Sequence, residues 1–402
     1  MIDLALLIWS ATAAVFANGM FVVALLVIGI KRRQKPSRRR RNLDGLPALT
    51  IVRPLRGLEE NAEACHASLF EGLYKPAAVL FVAESFDDSA VEGVRPILER
   101  YPDRAQLLVS EPAPHILSAK VRNMIAGWEA ARTPLVGFCD SDILLGREHL
   151  AACMEEFSEP LVSGASLPIQ YVADGLFGRL SMLIMTIDNA TLVRTASYTN
   201  FGSAILGGLM IFRRSSLDAV GGPAALGDAL ADDLRAGELL DRAGYRIRVA
   251  DAVLVHHSGP ESAWSVLARH HRWLTSIRTE VPLYFWCQVL LLNPIAPTIV
   301  AAGVLSIAGS HWATAAWGVF AGSAAARTAT AFAIDRALLR PQGVGLGAWC
   351  LARLPADIMY LLVLSMTLIF PFVYWRGRWF RVRWGSGRIL HEVGRARNVD
   401  SA

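Results

Sequence analysis

Charge is what this 402-residue chain has least of: Asp, Glu, Lys and Arg make up 19% of it, against 53% apolar residues. That balance excludes an ordinary water-soluble enzyme, in which about a quarter of residues are charged. The deficit is local. Leu4 to Ile30 contains no Asp, Glu, Lys or Arg, nor does Val281 to Ala326, and Trp349 to Trp375 holds only Arg353 and Asp357. Runs of about 20 apolar residues are what a bilayer core requires. The sequence therefore predicts a multi-pass membrane protein with a polar domain set between its anchors.

Other absences narrow the chemistry. The five cysteines (65, 139, 153, 287 and 350) lie far apart with no Cys-x-x-Cys pair. That fits a reduced cytosolic domain and argues against a disulfide or zinc framework. No Gly-x-Gly-x-x-Gly follows the first strand-like run, so a dinucleotide site has no support. The start, Met1-Ile2-Asp3, lacks a basic n-region and the apolar run behind it is long, so we expect an anchor instead of a cleaved signal peptide.

One charge sign is abundant in one place. The net charge of +5 is concentrated in Lys31 to Arg41, directly after the first apolar run. A basic run abutting a span is a topology signal and a binder of anionic lipid headgroups, which explains it without a nucleic-acid partner. It predicts a cytoplasmic polar domain and an external N-terminus.

Between the anchors, strands alternate with helices. Ala48 to Pro54, Ala78 to Ala83, Ala105 to Val109 and Leu135 to Cys139 read as strands with helices between them, including one near Glu59, Glu60 and Glu63. That alternation predicts an α/β fold with a mostly parallel sheet. Leu161 to Pro168, Leu209 to Phe212 and Arg246 to Val255 read as further strands, and Leu176 to Ile187 as an amphipathic segment touching the membrane surface.

The fourth strand ends in Asp140-Ser-Asp142. In open α/β sheets, ligands collect beyond the carboxyl ends of strands. Two carboxylates there make an oxygen-only site suited to Mg²⁺ or Mn²⁺ already holding phosphates, although Asp-Ser-Asp is also an ordinary turn sequence. Asp232 and Asp233 open a helix, where they serve either as capping residues or, for one of them, as a general base facing a cleft. Ala268 to Trp273 is a basic-aromatic helix beside the second apolar block, which also fits an interfacial anchor.

In this order, Arg53-Pro-Leu-Arg-Gly57, Asp87-Asp88, Ala119-Lys-Val-Arg-Asn123, Asp140-Ser-Asp-Ile143, Ala231-Asp-Asp233 and Arg269-His-His-Arg-Trp273 resemble the motifs of a family 2-type glycosyltransferase of the GT-A fold. More narrowly they resemble glycosyltransferase family 21, the ceramide glucosyltransferases and their bacterial relatives acting on ceramide, diacylglycerol or hopanoids. Trp375-Arg-Gly-Arg-Trp-Phe-Arg-Val-Arg383 is similar to that family's basic tail. The resemblance implies an inverting hexosyltransferase that moves a sugar, glucose foremost, from a UDP-sugar to a membrane lipid, in a bacterial inner membrane. It implies that Asp88 contacts the uridine, that Lys120 and Asn123 line the nucleotide pocket, and that Asp140 and Asp142 hold the diphosphate through Mg²⁺ or Mn²⁺. Asp233 would be the general base, with Arg272 and Trp273 closing over diphosphate and acceptor and Arg269 at the substrate. Two positions depart from the family: the eukaryotic ceramide enzymes have Asp-Ser-Gly at Asp140-Ser-Asp142, and Leu234 stands where an aromatic is usual. A processive polysaccharide synthase and a nucleotide-binding membrane scaffold are the other readings. The first needs more spans, and the second needs ionisable residues in its spans.

The expected organisation is an anchor (1–30), a basic linker (31–47), a GT-A domain (48–280), a C-terminal membrane region (281–375) and a basic tail (376–402). Three full spans after the domain would leave that arginine-rich tail outside, against the positive-inside rule. One block is therefore expected not to cross, and Leu283 to Ile307, broken by Asn293-Pro294 and Pro297, is the expected one.

Overall fold

The computed structural model describes residues 1–34, 43, 45–58, 61–113, 116, 118–173, 175–188, 191, 195, 205–227, 229–258, 261–290, 293–338, 346–375, 378–383 and 389–395. Linker positions 35–42, Glu59, Glu60 and tail positions 396–402 lie outside the described residues.

After α1 (Ile2–Gln34) the chain alternates β1 (Leu49–Pro54), α2 (Ala62–Ala67), β2 (Ala78–Ala83), α3 (Ala90–Arg100), β3 (Ala105–Val109), α4 (Ala119–Ala130), β4 (Leu135–Cys139) and α5 (His149–Glu156). Next come β5 (Val162–Ser166), β6 (Ile169–Ala173), α6 (Gly175–Asp188), β7 (Leu209–Arg213), α7 (Arg214–Ala219), α8 (Asp232–Arg242), β8 (Arg246–Val249) and β9 (Leu254–Ser258). The remainder is α9 (Ala263–Glu280), α10 (Pro282–Leu290), α11 (Ile295–Ile307), α12 (Ala313–Leu338), α13 (Leu346–Ile369), β10 (Phe372–Trp375), β11 (Arg378–Val382) and β12 (Ile389–Arg395).

Seven strands form one sheet in the order β3-β2-β1-β4-β7-β5-β8, with β7 alone antiparallel to its neighbours. The central strands β2 and β4 are unbroken apolar runs because both faces are covered. Successive residues of a strand point to opposite faces. Leu49 and Ile51 accordingly enter a core shared with α3 and α5, while Val52 enters one shared with Val121, Met124 and Trp128 of α4.

Two expectations change. Arg246 to Val255 is not one strand: β8 pairs with β5 in the main sheet, and the chain then turns so that β9 pairs in parallel with β6 in a separate two-stranded sheet. Ala250, whose N–H still donates to Ser166 O (2.8 Å), marks the change of sheet. Likewise α6 is not only a surface helix. Its Leu180, Leu183 and Ile184 are buried with Phe21 and Ile28 of α1, Val266 and Leu274 of α9, and Val363 of α13, leaving Leu176 and Phe177 exposed. One apolar core thus joins the polar domain to the long apolar helices.

Ile2–Ile30 and Leu346–Ile369 are the two helical stretches long and apolar enough to cross a membrane among the described residues. The block from Val281 is divided where Asn293 Oδ1 accepts from the N–H groups of Ile295 and Ala296 (both 3.0 Å), starting α11 afresh. Within the apolar helices, Asp357 is paired in a buried cluster with Arg353 (Nε to Oδ2, 3.0 Å) and Arg327 (3.8 Å).

Helix α4 approaches β1 so closely that a Cβ on Gly127 would lie 2.3 Å from Val52 Cγ1. Overpacking of this kind typically costs about 1–3 kcal/mol. Gly127→Ala should lower the melting temperature of the detergent-solubilised protein and reduce turnover, because α4 carries Lys120; an unchanged melt would show that the helix has room to move.

Candidate active site

The site forms where β4 ends and α4 and α8 begin. Ser118 caps α4 by accepting from the Val121 N–H (3.4 Å), which sets Lys120 in the first turn. Lys120 Nζ then reaches Asp140 Oδ1 (2.8 Å) on the β4 tip and Asp232 Oδ2 (3.0 Å) at the start of α8. Burial alone would drive the ammonium towards its neutral form, but Asp140 and Asp232 override it and hold Lys120 charged, above the usual lysine range. Burial pushes the Asp140 carboxyl up, partly offset by Lys120.

Asp142 accepts from His256 Nε2 of β9 (3.0 Å). Burial opposes ionisation of Asp142, yet the hydrogen bond and charge of His256 hold it below the carboxylate range. Asp233 is placed differently. One oxygen accepts from the Leu234 N–H (2.8 Å), and the other lies where a side chain on Gly207 would collide, 3.1 Å from that residue's Cβ position. Burial, then repulsion from Asp232, raises its carboxyl to about 6. A carboxylate poised there accepts a proton near neutral pH far better than an ordinary surface aspartate.

The other expected residues divide into those facing this centre and those supporting it. Trp273 packs on the Tyr171 ring (5.5 Å between centroids), which also meets His256 (5.3 Å). Arg272 lies over the Trp375 ring (5.4 Å). Arg269 is engaged by Glu261 (Nη2 to Oε2, 2.7 Å) and by Ser181 Oγ (2.9 Å), and stacks on Trp273. Asp88 Oδ1 accepts from the N–H groups of Gly57 (2.8 Å) and Ala90 (2.9 Å), tying the loop after β1 to the start of α3. Asn123 is buried, accepting from Ser110 Oγ (2.7 Å) and donating to Leu55 O (3.2 Å), so it braces the ends of β1 and β3 against α4. A cleft of about 260 Å³ lined by Glu84, Ser110 and Arg122 opens beside it.

Sequence reasoning missed His256 and Tyr171, and met Trp375 only as the first residue of the basic tail, with no role at the site. The His256-His257 pair at a strand end was a signal; Tyr171 and Trp375 matter through ring contacts with partners more than 80 positions away in the chain.

The donor set fits a divalent ion that arrives with its nucleotide. No cluster of three metal-binding side chains occurs among the described residues. Asp140 and Asp142 would supply two oxygen donors to such an ion, and phosphate oxygens and water complete spheres of this kind.

A family model described as glycosyl transferase family 21 matches residues 11–388. The chain belongs to glycosyltransferase family 21. This family 21 chain is 23% identical to ceramide glucosyltransferase 3 of Caenorhabditis elegans over 368 residues, covering 86% of this chain and 74% of that protein. With ceramide glucosyltransferase 1 of the same organism it shares 23% over 265 residues, so it spans only 55% of that relative's length. A ceramide glucosyltransferase of Gibberella zeae is 26% identical over 176 residues, 40% of this chain and 33% of that protein. The fold is that of a GT-A glycosyltransferase: the mannosyltransferase PcManGT from Pyrobaculum calidifontis, solved with GDP-Man and Mn²⁺, superposes with a TM-score of 0.53 at 18% identity, covering 90% of this chain and 99% of that one.

The raised Asp233 carboxyl yields a pH prediction with a definite sign. Turnover should fall as the pH drops through about 6, when Asp233 takes up a proton. Because the folded value lies above the unfolded one, the stability linked to this group is present at low pH and is lost as the pH rises through about 6. Asp233→Asn should therefore melt higher than wild type at pH 8 while turning over about 10²- to 10⁴-fold more slowly. Near-native turnover in Asp233→Asn but not in Asp232→Asn would reassign the base to the neighbour.

Proposed function

We propose that this family 21 glycosyltransferase moves a hexose, glucose foremost, from a UDP-sugar to the hydroxyl of a membrane lipid, ceramide foremost, with inversion at the anomeric carbon. One observation carries the reading: Lys120 touches both Asp140 and Asp232, so the diphosphate-type carboxylate tip and the helix bearing the base meet within one side chain.

In this reading Asp140 and Asp142 hold Mg²⁺ or Mn²⁺, which when bound neutralises charge on the departing diphosphate. Lys120, released to the nucleotide, and Arg272, braced by Trp375, add positive charge beside it. Asp88 and Asn123 shape the loops around the nucleoside. Asp233 takes the proton from the acceptor hydroxyl, and Asp232, already neutralised by Lys120, leaves that role to it. Trp273 and Tyr171 make the apolar wall on the acceptor side, with Arg269 held at its edge by Glu261. The wall runs directly into the core shared by α6, α9 and α13. A lipid could reach such a site sideways from a bilayer, and the pairing of ceramide glucosyltransferase relatives with this apolar flank favours a sphingolipid over a sugar chain.

The same reading places the domain in the cytoplasm and lets α1, the α10–α11 pair and α12 cross. Asn18 of α1 donates to Ser323 Oγ of α12 (3.3 Å), and Ser323 donates to Pro294 O (3.0 Å), so α11 starts midway along α1. It ends beside Leu6 and Leu7 at the far end of α1. The proline-broken block, expected from sequence not to cross, then completes a crossing in two pieces. Helix α13 is the one held back. Arg353 donates to Leu183 O of α6 (2.6 Å), and Thr367 O accepts from Arg278 of α9. Beyond it β10 and β11 cover Leu230 with Val373, Phe380 and Val382. That contact ties the tail to the catalytic domain's side.

Membranes expressing the chain should convert UDP-glucose and ceramide to a monohexosylceramide seen by mass spectrometry, and Asp140→Ala or excess EDTA should abolish it. Product from diacylglycerol alone would move the acceptor, and full turnover in EDTA would remove the metal. A cysteine tag after Ala402 should resist an impermeant thiol reagent in intact cells and react after permeabilisation; labelling in intact cells would place the tail outside and make α13 a full span.

A further inference from the structure

Behind the Asp140–Asp142 tip lies a charged side chain that none of these roles uses. Arg53, on β1, is fully buried at 0% exposure. Its Nη1 donates to Cys65 O (2.7 Å) and His66 Nδ1 (3.0 Å), and its Nη2 donates to Cys139 Sγ (3.1 Å) and Ile143 O (2.9 Å). All four acceptors are neutral. Burial, with Arg53 alongside, drives His66 down to about 3, so its ring is uncharged and its Nδ1 accepts, since a guanidinium only donates.

Taking a guanidinium out of water costs several kcal/mol, and four neutral acceptors are a poor return if the only result is packing. The placement of two of them supplies a reason. Cys139 immediately precedes Asp140 and Ile143 immediately follows Asp142, so one planar fork grips the loop on both sides of the carboxylates. The other arm of the fork is anchored to the end of α2. A second tie repeats the connection: Ser68 Oγ donates to Cys65 O (2.7 Å) and accepts from the Leu145 N–H (3.0 Å). The loop is thus fastened from beneath, leaving its carboxylates facing the cleft.

We propose that Arg53 is a positioning residue for the Asp140–Ile143 loop, fixing the two carboxylates in the geometry that receives the divalent ion and diphosphate. The role rests on the glycosyltransferase reading above. It requires arginine specifically, because Nη1 holds Cys65 and His66 while Nη2 holds Cys139 and Ile143, and the single nitrogen of a lysine cannot span both pairs at once. The positive charge adds to the effect: after burial and His256, Arg53 is a further influence on Asp142, in the direction of ionisation.

The test uses the purified full-length chain in detergent with UDP and no acceptor, titrated with Mn²⁺ and read by loss of the free-ion electron paramagnetic resonance signal. Substitutions that disturb the groups orienting metal ligands typically weaken binding or activity 10- to 100-fold. Arg53→Lys should weaken Mn²⁺ binding by about that factor and lower kcat alongside, whereas Asp233→Asn should lose kcat and keep wild-type Mn²⁺ affinity. If Arg53→Lys does not yield folded protein, Cys139 decides. Cys139→Ala removes one acceptor and should weaken Mn²⁺ binding, and Cys139→Ser, which keeps an acceptor, should restore it. Wild-type Mn²⁺ affinity in Arg53→Lys, or equal affinities in both Cys139 variants and wild type, overturns the positioning role alone. Absence of Mn²⁺ binding by the wild-type chain overturns the metal reading itself, and this proposal with it.

Discussion

The arrangement depends on one ammonium group. Asp140, Asp142, Asp232 and Asp233 converge at the end of the sheet, and four carboxylates in partly buried surroundings repel one another unless cations are interleaved. Lys120 meets two of them, and His256 meets a third. Asp233 has no such cation at its carboxylate among the described residues, and burial with repulsion from Asp232 raises its carboxyl to about 6. The first turn of α8 eases the strain, since its unpaired N–H groups favour negative charge there. Any anionic donor entering the cleft offers Lys120 a competing partner, so substrate binding and the charge state of the carboxylates are physically linked.

A second dependence runs through the apolar core. Helix α9 carries Arg269, Arg272 and Trp273 on one face and buries Val266 and Leu274 against α1, α6 and α13. The elements that shape the acceptor wall are therefore the same ones that attach the domain to the long apolar helices. The tail joins in from the far end of the chain, with Trp375 under Arg272 and Trp264 near Tyr374 and Trp379. Arg269, Arg272 and Trp273 are thus tied to the apolar helices and the tail, while Lys120, Asp140 and Asp232 are held by the α/β domain itself.

Much of this was legible along the chain. The strands before residue 140 are mostly apolar runs, and each forms close to where its sequence places it, although β1 also carries Thr50 and Arg53 and β3 carries Gln106. The carboxylate tip was legible because two aspartates follow such a run directly. The break in Arg246 to Val255 was not, because nothing local distinguishes one long strand from two short ones that pair in different sheets. The break in Leu283 to Ile307 was legible from its prolines, and α10 and α11 are indeed separate helices, but what the second piece packs against, Ser323 and α1, lies elsewhere in the chain.

By itself the sequence determined the long apolar runs and the alternating α/β domain, which are properties of composition and spacing that act locally; the order of its carboxylates, lysine and arginine-tryptophan motif spoke through resemblance to a known family. Tertiary structure alone decided which partner each charged group took. Lys120 chose Asp140 and Asp232, Arg269 chose Glu261, Asp142 chose His256, and Arg53 came to lie under the loop instead of in solvent. Electrostatic pairing and burial depend on distances between remote segments, and those distances exist only once the sheet has brought the strand ends together.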